Sequence, residues 1–179
     1  MLTGAEIKRL IEIGDIRISD FSEDQLNPNS YNLRLGNKLL VYDINPENGE
    51  YLDSKKKNPT KEIIIPKEGY VLEPNVLYLA RTNEYTETYN LVPGIDGRSS
   101  IGRLGIEIHR TAGFGDVGFR GTWTLEITAT MYVRVYPNMQ IGQLYYEEIT
   151  GEPTNYEGRY QDQIDATPCR LYKDFEQEK

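Results

Sequence analysis

The residues from Gly97 to Arg103 form the first of three clusters whose side chains could bind or transform a ligand. They read GRSSIGR and directly follow a predicted strand. Small residues at a strand end expose backbone N–H groups, the serines add hydroxyls, and two arginines five positions apart can flank a triphosphate. A polar turn that opens a short helix would explain the same residues without any ligand.

The segment from Thr111 to Gly121 is the second cluster, and it reads TAGFGDVGFRG. Four glycines alternate with two phenylalanines around Asp116. Glycine lets the backbone approach a ligand closely, and an aromatic ring can pack on a sugar or a base. A hairpin loop with Asp116 as its turn residue is the alternative interpretation.

Glu126 is the third candidate, because it is the one carboxylate on a strand face that otherwise carries hydroxyls. The other side chains of that face include Thr122, Thr124, Thr128 and Thr130. This composition is typical of a strand face in contact with water. If the face is instead buried against a neighbouring subunit, the carboxylate becomes a competent general acid and base.

A weaker fourth group lies towards the C-terminus and consists of Tyr156, Arg159, Tyr160 and Gln163. Aromatic rings, a cation and an amide on a tail could close over a bound ligand. By composition alone, the same residues are typical of an ordinary polar tail.

The chain has one histidine, His109, and one cysteine, Cys169, so a zinc site of His and Cys ligands cannot be assembled within it. His109 has no partner nearby in the sequence, and a structural role is expected for it. A single cysteine also excludes an internal disulfide and suits the cytoplasm. Hydrolysis by this chain must therefore use carboxylates, hydroxyls and arginines, with or without a metal that arrives with the substrate.

The 179 residues include 28 acidic and 20 basic side chains, which gives a net charge of −8. This balance argues against a groove that holds a long nucleic acid, but it does not exclude a small phosphorylated ligand. No run approaches the ~18 consecutive apolar residues of a membrane span, and the start MLTGAEIKRL lacks an apolar signal-peptide core. We therefore expect a cytoplasmic protein that binds neither nucleic acid nor membrane.

The pattern of apolar residues predicts a short N-terminal helix followed by many strands. Thr3 and Glu6 have capping-box spacing, and apolar residues recur on one face as far as Ile13. Short apolar segments separated by Gly, Pro and Asn predict strands at 16–18, 31–35, 39–42, 63–65, 70–72, 77–80, 91–95 and 141–147. Residues 45–61 are polar, and we expect a solvated excursion without a catalytic role there.

The clearest strand is predicted from Thr122 to Tyr136, where side chains alternate between two faces. Its apolar face carries Trp123, Leu125, Ile127, Ala129, Met131, Val133 and Val135. From Gly151 onward the sequence is polar and loop-like. We expect a mainly β chain that forms one domain over residues 1–179, with residues 151–179 as its C-terminal tail.

Taken in order, these clusters resemble the dCTP deaminase branch of the dUTPase-like superfamily, and specifically its bifunctional, dUMP-forming type. Several motifs at consistent spacing carry the resemblance, which covers almost the whole chain. They are NPNSYNLRLG from Asn27, GRSSIGRLG from Gly97, HRTAGFGDVGFRG from His109, WTLEI from Trp123, IGQL from Ile141 and YEGRYQDQ from Tyr156.

The resemblance implies a distorted jelly-roll β-barrel that assembles as a homotrimer with active sites between subunits. It also implies a zinc-free deamination of dCTP, in agreement with the histidine and cysteine count. The substrates implied are dCTP and dUTP, with Mg²⁺ carried on the triphosphate, and dTTP is implied as a feedback inhibitor.

The resemblance assigns the deamination chemistry to four residues. Glu126 would take a proton from a water held near the backbone of Ala112, and the resulting hydroxide would attack C4 of cytosine. Ser99 and Arg103 would position the water and the base and would stabilise charge in the tetrahedral intermediate.

The resemblance also implies a set of nucleotide contacts. Asp116 would hold the deoxyribose and orient a water towards the α-phosphate, and backbone groups of Thr124 and Leu125 would read the pyrimidine edge. The phosphates would be bound at Arg98, Ser99 and Ser100, and the surrounding contacts would be Ile101, Gly102, Arg103 and Gln143. The segment 151–179 would act as a lid through Tyr156, Arg159 and Gln163.

Two products are possible within this family, dUTP from monofunctional enzymes and dUMP with pyrophosphate from bifunctional ones. The residues Gly113 and Phe114 after Thr111-Ala112 resemble the bifunctional type, since a glycine leaves room for a water beside the phosphates. We therefore predict dUMP formation. The alternatives are a monofunctional dCTP deaminase, a dUTPase without deamination, and a nucleotide-binding jelly-roll module without turnover.

Five residues differ from the family pattern. Gly115 and Val117 flank Asp116 where a β-branched residue and a proline or alanine are more usual, which implies a looser loop. Asn32 replaces an aspartate in the N-terminal motif, Arg159 replaces the usual lysine, and Arg110 adds a cation beside Thr111. None of them removes a residue that either reaction requires.

Overall fold

The computed structural model describes residues 1–176, and β-strands account for most of its regular structure. The strands are β1 (Ile16–Ile18), β2 (Tyr31–Tyr42), β3 (Thr60–Ile64), β4 (Tyr70–Leu72), β5 (Tyr78–Thr88), β6 (Leu91–Gly97), β7 (Ile106–Glu107), β8 (Arg120–Ala129), β9 (Val133–Val135) and β10 (Gln140–Glu148). The helices are α1 (Gly4–Ile13), α2 (Ser99–Gly102) and α3 (Lys173–Glu176). Residues 177–179 of the predicted tail lie outside the described residues.

Eight of the strands form one antiparallel sheet that curls into a nearly closed barrel. The strand order is β6-β10-β2-β5-β8-β7, with β1 added on β5 and β3 added on β2. The barrel interior is filled by apolar side chains of the central strands, among them Leu33, Leu35, Leu39, Leu125, Ile127 and Leu144. The prediction of a mainly β barrel is confirmed.

The N-terminal helix begins where the capping residues predicted it. The Thr3 hydroxyl accepts a 3.2 Å hydrogen bond from the main-chain N–H of Glu6. The helix ends at Gly14, whose φ of 88° is a left-handed conformation that glycine adopts at little cost. Ile7 and Leu10 pack into the barrel core.

Strand β2 is one continuous strand, whereas the sequence predicted two short strands on either side of Gly36. Gly36 was expected to interrupt the strand, but it lies within β2 where this strand closely approaches β5. A side chain at Gly36 would lie 3.0 Å from Cγ of Arg81 on β5. The β2–β5 register also shifts between Leu35 and Leu39, so the irregularity is absorbed as a bulge inside a single strand.

The predicted strand from Thr122 to Tyr136 is wrong beyond Ala129. Over β8 the expected alternation holds, with Leu125 and Ile127 buried in the core. At Thr130 the chain turns away, because its N–H bonds to the carbonyl of Gly105. Met131, predicted on the apolar face, is 57% exposed. The remaining residues form β9, which pairs with β4 in a separate small sheet.

Candidate active site

Glu126 lies on β8 at a cavity of about 610 Å³ that the glycine-rich loop and the C-terminal tail also line. Among the predicted site residues, the structure brings together Ala112, Phe114, Asp116, Thr124, Glu126, Tyr156 and Gln163. The apolar part of the wall comes from Leu52, Leu77, Leu79, Phe119 and Trp123. A cavity of this volume, with a few polar groups on apolar walls, suits a ligand of nucleotide size.

The carboxylate of Glu126 is oriented by the main chain of the neighbouring loop. Its Oε2 accepts a 2.9 Å hydrogen bond from the N–H of Arg110, and its own N–H donates to the carbonyl of Ile108 at 2.8 Å. The Arg110 guanidinium turns outwards and bonds to Glu107 at 2.9 Å and to the hydroxyl of Thr128 at 3.3 Å. The segment that carries Ala112 is thereby fixed beside the carboxylate.

The glycine-rich loop connects β7 to β8 and is docked against β6. The N–H of Ile95 donates to the carbonyl of Gly113, and the N–H of Gly115 donates to the carbonyl of Pro93, both at 2.6 Å. The carbonyl of Asp116 accepts from the N–H of Phe119, which makes a turn. Asp116 therefore lies at a turn, as the hairpin-loop interpretation predicted, and this turn lines the cavity. Contact of the loop with a ligand stays a prediction.

Gly113 and Phe114, the two residues predicted to set the product, have different surroundings. Gly113 is not among the residues that line the cavity, and a side chain there would lie 3.1 Å from both the His109 ring and the carbonyl of Ile95. Within a single chain, the lack of a side chain at Gly113 therefore allows the glycine-rich loop to pack closely on β6. Phe114 lines the cavity and is 67% exposed.

The C-terminal tail adds one wall by pairing with β8. The main chain and side chain of Gln163 bond to Thr122, with Thr122 N–H donating to Gln163 O at 2.9 Å and Gln163 Nε2 donating to Thr122 O at 2.8 Å. The Tyr156 ring packs against the edge of Phe119 at 6.0 Å. Gln163 lines the cavity, and within residues 1–176 its buried Oε1 has no hydrogen-bond partner.

The part of β8 around Thr124 faces the cavity, between the C-terminal tail and the glycine-rich loop. In a strand, the N–H and C=O groups of every second residue point to the same edge. Thr124 lies between Thr122, which bonds to the tail, and Glu126, which bonds to Ile108. The main-chain groups of Thr124 therefore point into this gap, while the side chain of Leu125 is fully buried in the core.

Several residues of the tail are held on the barrel by ion pairs. Asp162 pairs with Arg120, and Asp165 pairs with Lys38 at 2.9 Å. Arg159, a predicted lid residue, does not line the cavity and contacts Asp174 through its guanidinium. The hydrogen bond that the Arg159 guanidinium donates to Asp174 raises the pKa of Arg159.

Sequence reasoning missed part of the cavity wall. Tyr42 at the end of β2 and Cys169 of the tail meet there, and the Tyr42 hydroxyl accepts a 3.2 Å hydrogen bond from the N–H of Cys169. Burial raises the pKa of the Tyr42 phenol, which keeps its proton at neutral pH. Leu52 belongs to the excursion at 45–61, which was expected to stay away from any site. No sequence motif marks these three residues.

The Gly97–Arg103 cluster is located elsewhere on the same chain and does not line this cavity. It forms the single-turn helix α2, as the alternative interpretation predicted, with Ile101 buried beneath it and Ser99, Ser100, Gly102 and Arg103 exposed. Arg98 and Gln143 lie at its base: Arg98 Nη1 donates to the carbonyl of Gln140 at 3.2 Å, and Gln143 Nε2 donates to the carbonyl of Gly97 at 3.4 Å.

Two further properties apply to residues 1–176. No helix in this range is both long and apolar enough to cross a membrane. Over the same residues, no three His, Cys, Asp or Glu side chains come together in an arrangement that could hold a metal ion.

Comparison with known proteins places these features in a family. A family model described as dCTP deaminase-like matches residues 1–149. A curated protein from Hathewaya histolytica, named dCTP deaminase, dUMP-forming, is 55% identical over 177 residues, which cover 98% of this chain and 99% of that protein. A protein of the same name from Clostridium acetobutylicum is 54% identical over 176 residues, or 98% of each chain.

A solved structure supports the fold. The crystal structure of 2'-deoxycytidine 5'-triphosphate deaminase from Agrobacterium tumefaciens superposes with a TM-score of 0.64 at 20% sequence identity. The match covers 82% of this chain and 48% of that longer one. The jelly-roll barrel predicted from the motifs is thereby confirmed. Since the family model spans most of the chain and the curated relatives match nearly all of it, the chain belongs to the dCTP deaminase-like family.

Proposed function

We propose that this chain is a dUMP-forming dCTP deaminase. With two waters it converts dCTP to dUMP, pyrophosphate and ammonia. The observation that carries the proposal is the Glu126 carboxylate, held by the N–H of Arg110 at a cavity of nucleotide size. The name of the curated relatives at 54–55% identity supports the same reaction.

Glu126 acts as the general base and acid of the deamination. It takes a proton from a water beside the backbone of Ala112, and the hydroxide adds to C4 of cytosine. The carboxylic acid then gives its proton to N3 of the ring. The carboxylate next takes the proton of the new C4 hydroxyl and passes it to the amino group, so that the C4–N bond breaks, ammonia leaves and C4 becomes a carbonyl carbon. Ser99 and Arg103 stabilise the charge of the tetrahedral intermediate.

The base is recognised where β8 faces the cavity. The main-chain N–H and C=O of Thr124 pair with the pyrimidine edge, with Leu125 following in the strand. Gln163 contacts the nucleotide from the tail wall of the cavity. Tyr156 and Arg159 complete the lid. Asp116 holds the sugar and directs a second water to the α-phosphate, so that the α–β bond breaks with pyrophosphate as the leaving group.

The site is completed by another copy of the chain in a homotrimer. Ser99 and Arg103 are exposed and lie outside the cavity that holds Glu126. One chain therefore presents two half-sites at separate places: the base half, which is the cavity with Glu126, and the phosphate half, which is the Gly97–Arg103 cluster. In a cyclic trimer, every interface can join the base half of one subunit to the phosphate half of the next.

Mg²⁺ enters as part of the substrate, bound to the triphosphate. The donors of the phosphate half are guanidinium, hydroxyl and main-chain N–H groups, which bind phosphate oxygens and not a divalent cation. Zinc takes no part in this proposal. Feedback inhibition by dTTP stays a prediction.

The direct test is to incubate the pure protein with dCTP and Mg²⁺ and to separate the products by ion-exchange chromatography. The proposal expects dUMP and pyrophosphate in equal amounts, with one ammonia for each dUMP and no accumulating dUTP. Accumulation of dUTP would refute the coupled cleavage. Absence of ammonia, with dUTP cleaved when it is supplied, would identify a dUTPase and refute the deamination.

A further inference from the structure

We propose that Ser30 is a positioning residue of the nucleotide site. Its hydroxyl fixes the orientation of the Gln143 carboxamide, so that this side chain presents its Nε2 group to the nucleotide. The proposal rests on the proposed function and on the nucleotide contact that the family resemblance implies for Gln143. Ser30 itself is 8% exposed and lies in the turn before β2, beneath the Gly97–Arg103 cluster.

The orientation of the carboxamide follows from its two contacts. Gln143 Oε1 accepts a 2.8 Å hydrogen bond from the Ser30 hydroxyl, and Gln143 Nε2 lies 3.4 Å from the carbonyl oxygen of Gly97. A carbonyl oxygen only accepts and an amide nitrogen only donates. The NH₂ end of the side chain therefore lies beside residues 97–103, and the oxygen end points to Ser30.

The proton of Ser30 is committed to Gln143 because its oxygen is already used as an acceptor. Asn27 Nδ2 donates to Ser30 Oγ at 3.2 Å and to Asn32 Oδ1 at 2.7 Å. A hydroxyl has a single proton. With the acceptor side occupied by Asn27, that proton is directed to Gln143.

The same buried network supports Arg98. Asn32 Nδ2 donates to Gln140 Oε1 at 2.9 Å, and the carbonyl of Gln140 accepts from Arg98 Nη1 at 3.2 Å. The Gln25 side chain bonds to the carbonyl of Asn32 at 2.7 Å and to the fully buried carboxylate of Glu84 at 3.2 Å. A buried polar network whose members are bonded to one another is rigid.

The contact has a consequence for binding. Nε2 carries a second proton, which can be donated to an oxygen of the nucleotide. Without the Ser30 hydroxyl, the carboxamide is held only by the 3.4 Å contact of Nε2 with the Gly97 carbonyl, so the side chain is less well ordered and Nε2 is presented to a nucleotide oxygen less often. Loss of the hydroxyl therefore weakens nucleotide binding and leaves the proton transfers at Glu126 unchanged.

A double-mutant cycle between Ser30→Ala and Gln143→Ala tests the proposal. Ser30→Ala is expected to raise KM for dCTP about fivefold, the effect of one lost hydrogen bond, with kcat unchanged. In the Gln143→Ala background the same substitution should have no further effect on KM, because its partner is already absent. Ser30→Thr, which keeps the hydroxyl, is expected to have the KM of the wild-type protein.

Ser19→Ala is the matched control. Its hydroxyl accepts a 2.9 Å hydrogen bond from the N–H of Tyr85, far along the chain from the Gly97–Arg103 cluster, and its removal should leave KM unchanged in both backgrounds. The proposal is overturned if Ser30→Ala raises KM equally with and without Gln143, or if it lowers the thermal midpoint and leaves KM unchanged. A wild-type protein that forms no dUMP would refute the proposed function, and with it the role of Ser30, before any variant is compared.

Discussion

The main-chain N–H of Arg110 donates a 2.9 Å hydrogen bond to Oε2 of Glu126, and this contact joins the glycine-rich loop to the strand that carries the proposed base. The bond comes from the backbone, so it does not depend on the unusual arginine side chain. An amide oxygen at position 126 could accept it equally well. The negative charge of Glu126 can therefore be removed without loss of the hydrogen bond that holds the glycine-rich loop.

Glu126→Gln is expected to lower kcat for ammonia release by about 10²–10⁴-fold, because the proton transfers lose their acceptor. The thermal midpoint should stay at the wild-type value. Glu107→Gln is the matched control, since Glu107 contacts the exposed face of Arg110 and such a pair contributes little; its rate should stay within about twofold of wild type. Near wild-type deamination by Glu126→Gln would contradict the assignment of the general base.

Asp116→Asn is expected to separate the two reactions. Asp116 lines the cavity from the turn of the glycine-rich loop, and the proposed function assigns it the orientation of the water that attacks the α-phosphate. The variant should convert dCTP to dUTP with release of ammonia and little pyrophosphate, as resolved by ion-exchange chromatography. If dUMP still forms at the wild-type rate, Asp116 does not orient the attacking water.

Mixed trimers test whether the site is shared between subunits. Glu126→Gln and Arg103→Ala should each be inactive alone, and random mixing after co-expression should restore roughly a quarter of the sites. Ser99→Ala mixed with Arg103→Ala is the control, since both residues lie in the Gly97–Arg103 cluster and no intact phosphate half can form. Unrestored activity in the first mixture would mean that each chain builds its own site.

Cys169 offers a chemical probe of the cavity, because it is the one cysteine of the chain, is exposed and lines the wall. Bound nucleotide should slow its alkylation by iodoacetamide, measured by mass spectrometry with a non-hydrolysable dUTP analogue present. The Cys169→Ser variant gives the background rate of alkylation at residues other than cysteine. Equal alkylation rates with and without nucleotide would place the tail away from the bound substrate.

Docking of the tail is expected to weaken in acid. Burial alone would raise the pKa of Asp165, but hydrogen bonds from Lys38 and from the N–H of Ala166 lower it below its ordinary value of 3.8. A lowered pKa stabilises the folded state above pH 3.8, and this stabilisation is lost as pH falls through the folded-state pKa. The effect is small, since the Asp165 side chain is 47% exposed.

Lys38→Met provides the measurement. The thermal midpoint of the variant should lie below that of the wild type at neutral pH, and the two should converge at pH values below the Asp165 transition. A difference that stays constant over the whole pH range would show that the ion pair to Asp165 is not its source.

Local patterns predicted much of the fold where apolar residues mark the buried face. Helix α1 and the Leu125–Ile127 part of β8 were found in this way. Strand β5 was predicted only to Ala80, although it continues to Thr88. Its buried residues beyond Ala80 are Thr82, Glu84, Thr86 and Thr88, and hydrophobic alternation gives no signal for polar side chains that are buried by hydrogen bonding.

The candidate site was predictable to the extent that chemistry restricts residue type. Glu126 and Asp116 were singled out as carboxylates among hydroxyls and glycines, and the resemblance to the dCTP deaminase family assigned their roles. Tyr42 and Leu52 form the same cavity through tertiary packing alone, and residues of their kind occur throughout the sequence. Local sequence patterns do not state which distant segments meet, so these two could not be found before the fold was known.

The tail that closes the cavity is made last during synthesis. Every strand of the barrel is complete by Glu148, whereas the wall contributed by residues 156–169 leaves the ribosome only afterwards. A chain that ended between residues 148 and 156 would form a barrel in which Thr122 cannot pair with Gln163. A subunit that ended there would also lack the part of the cavity wall that Tyr156, Tyr160, Thr167 and Cys169 provide.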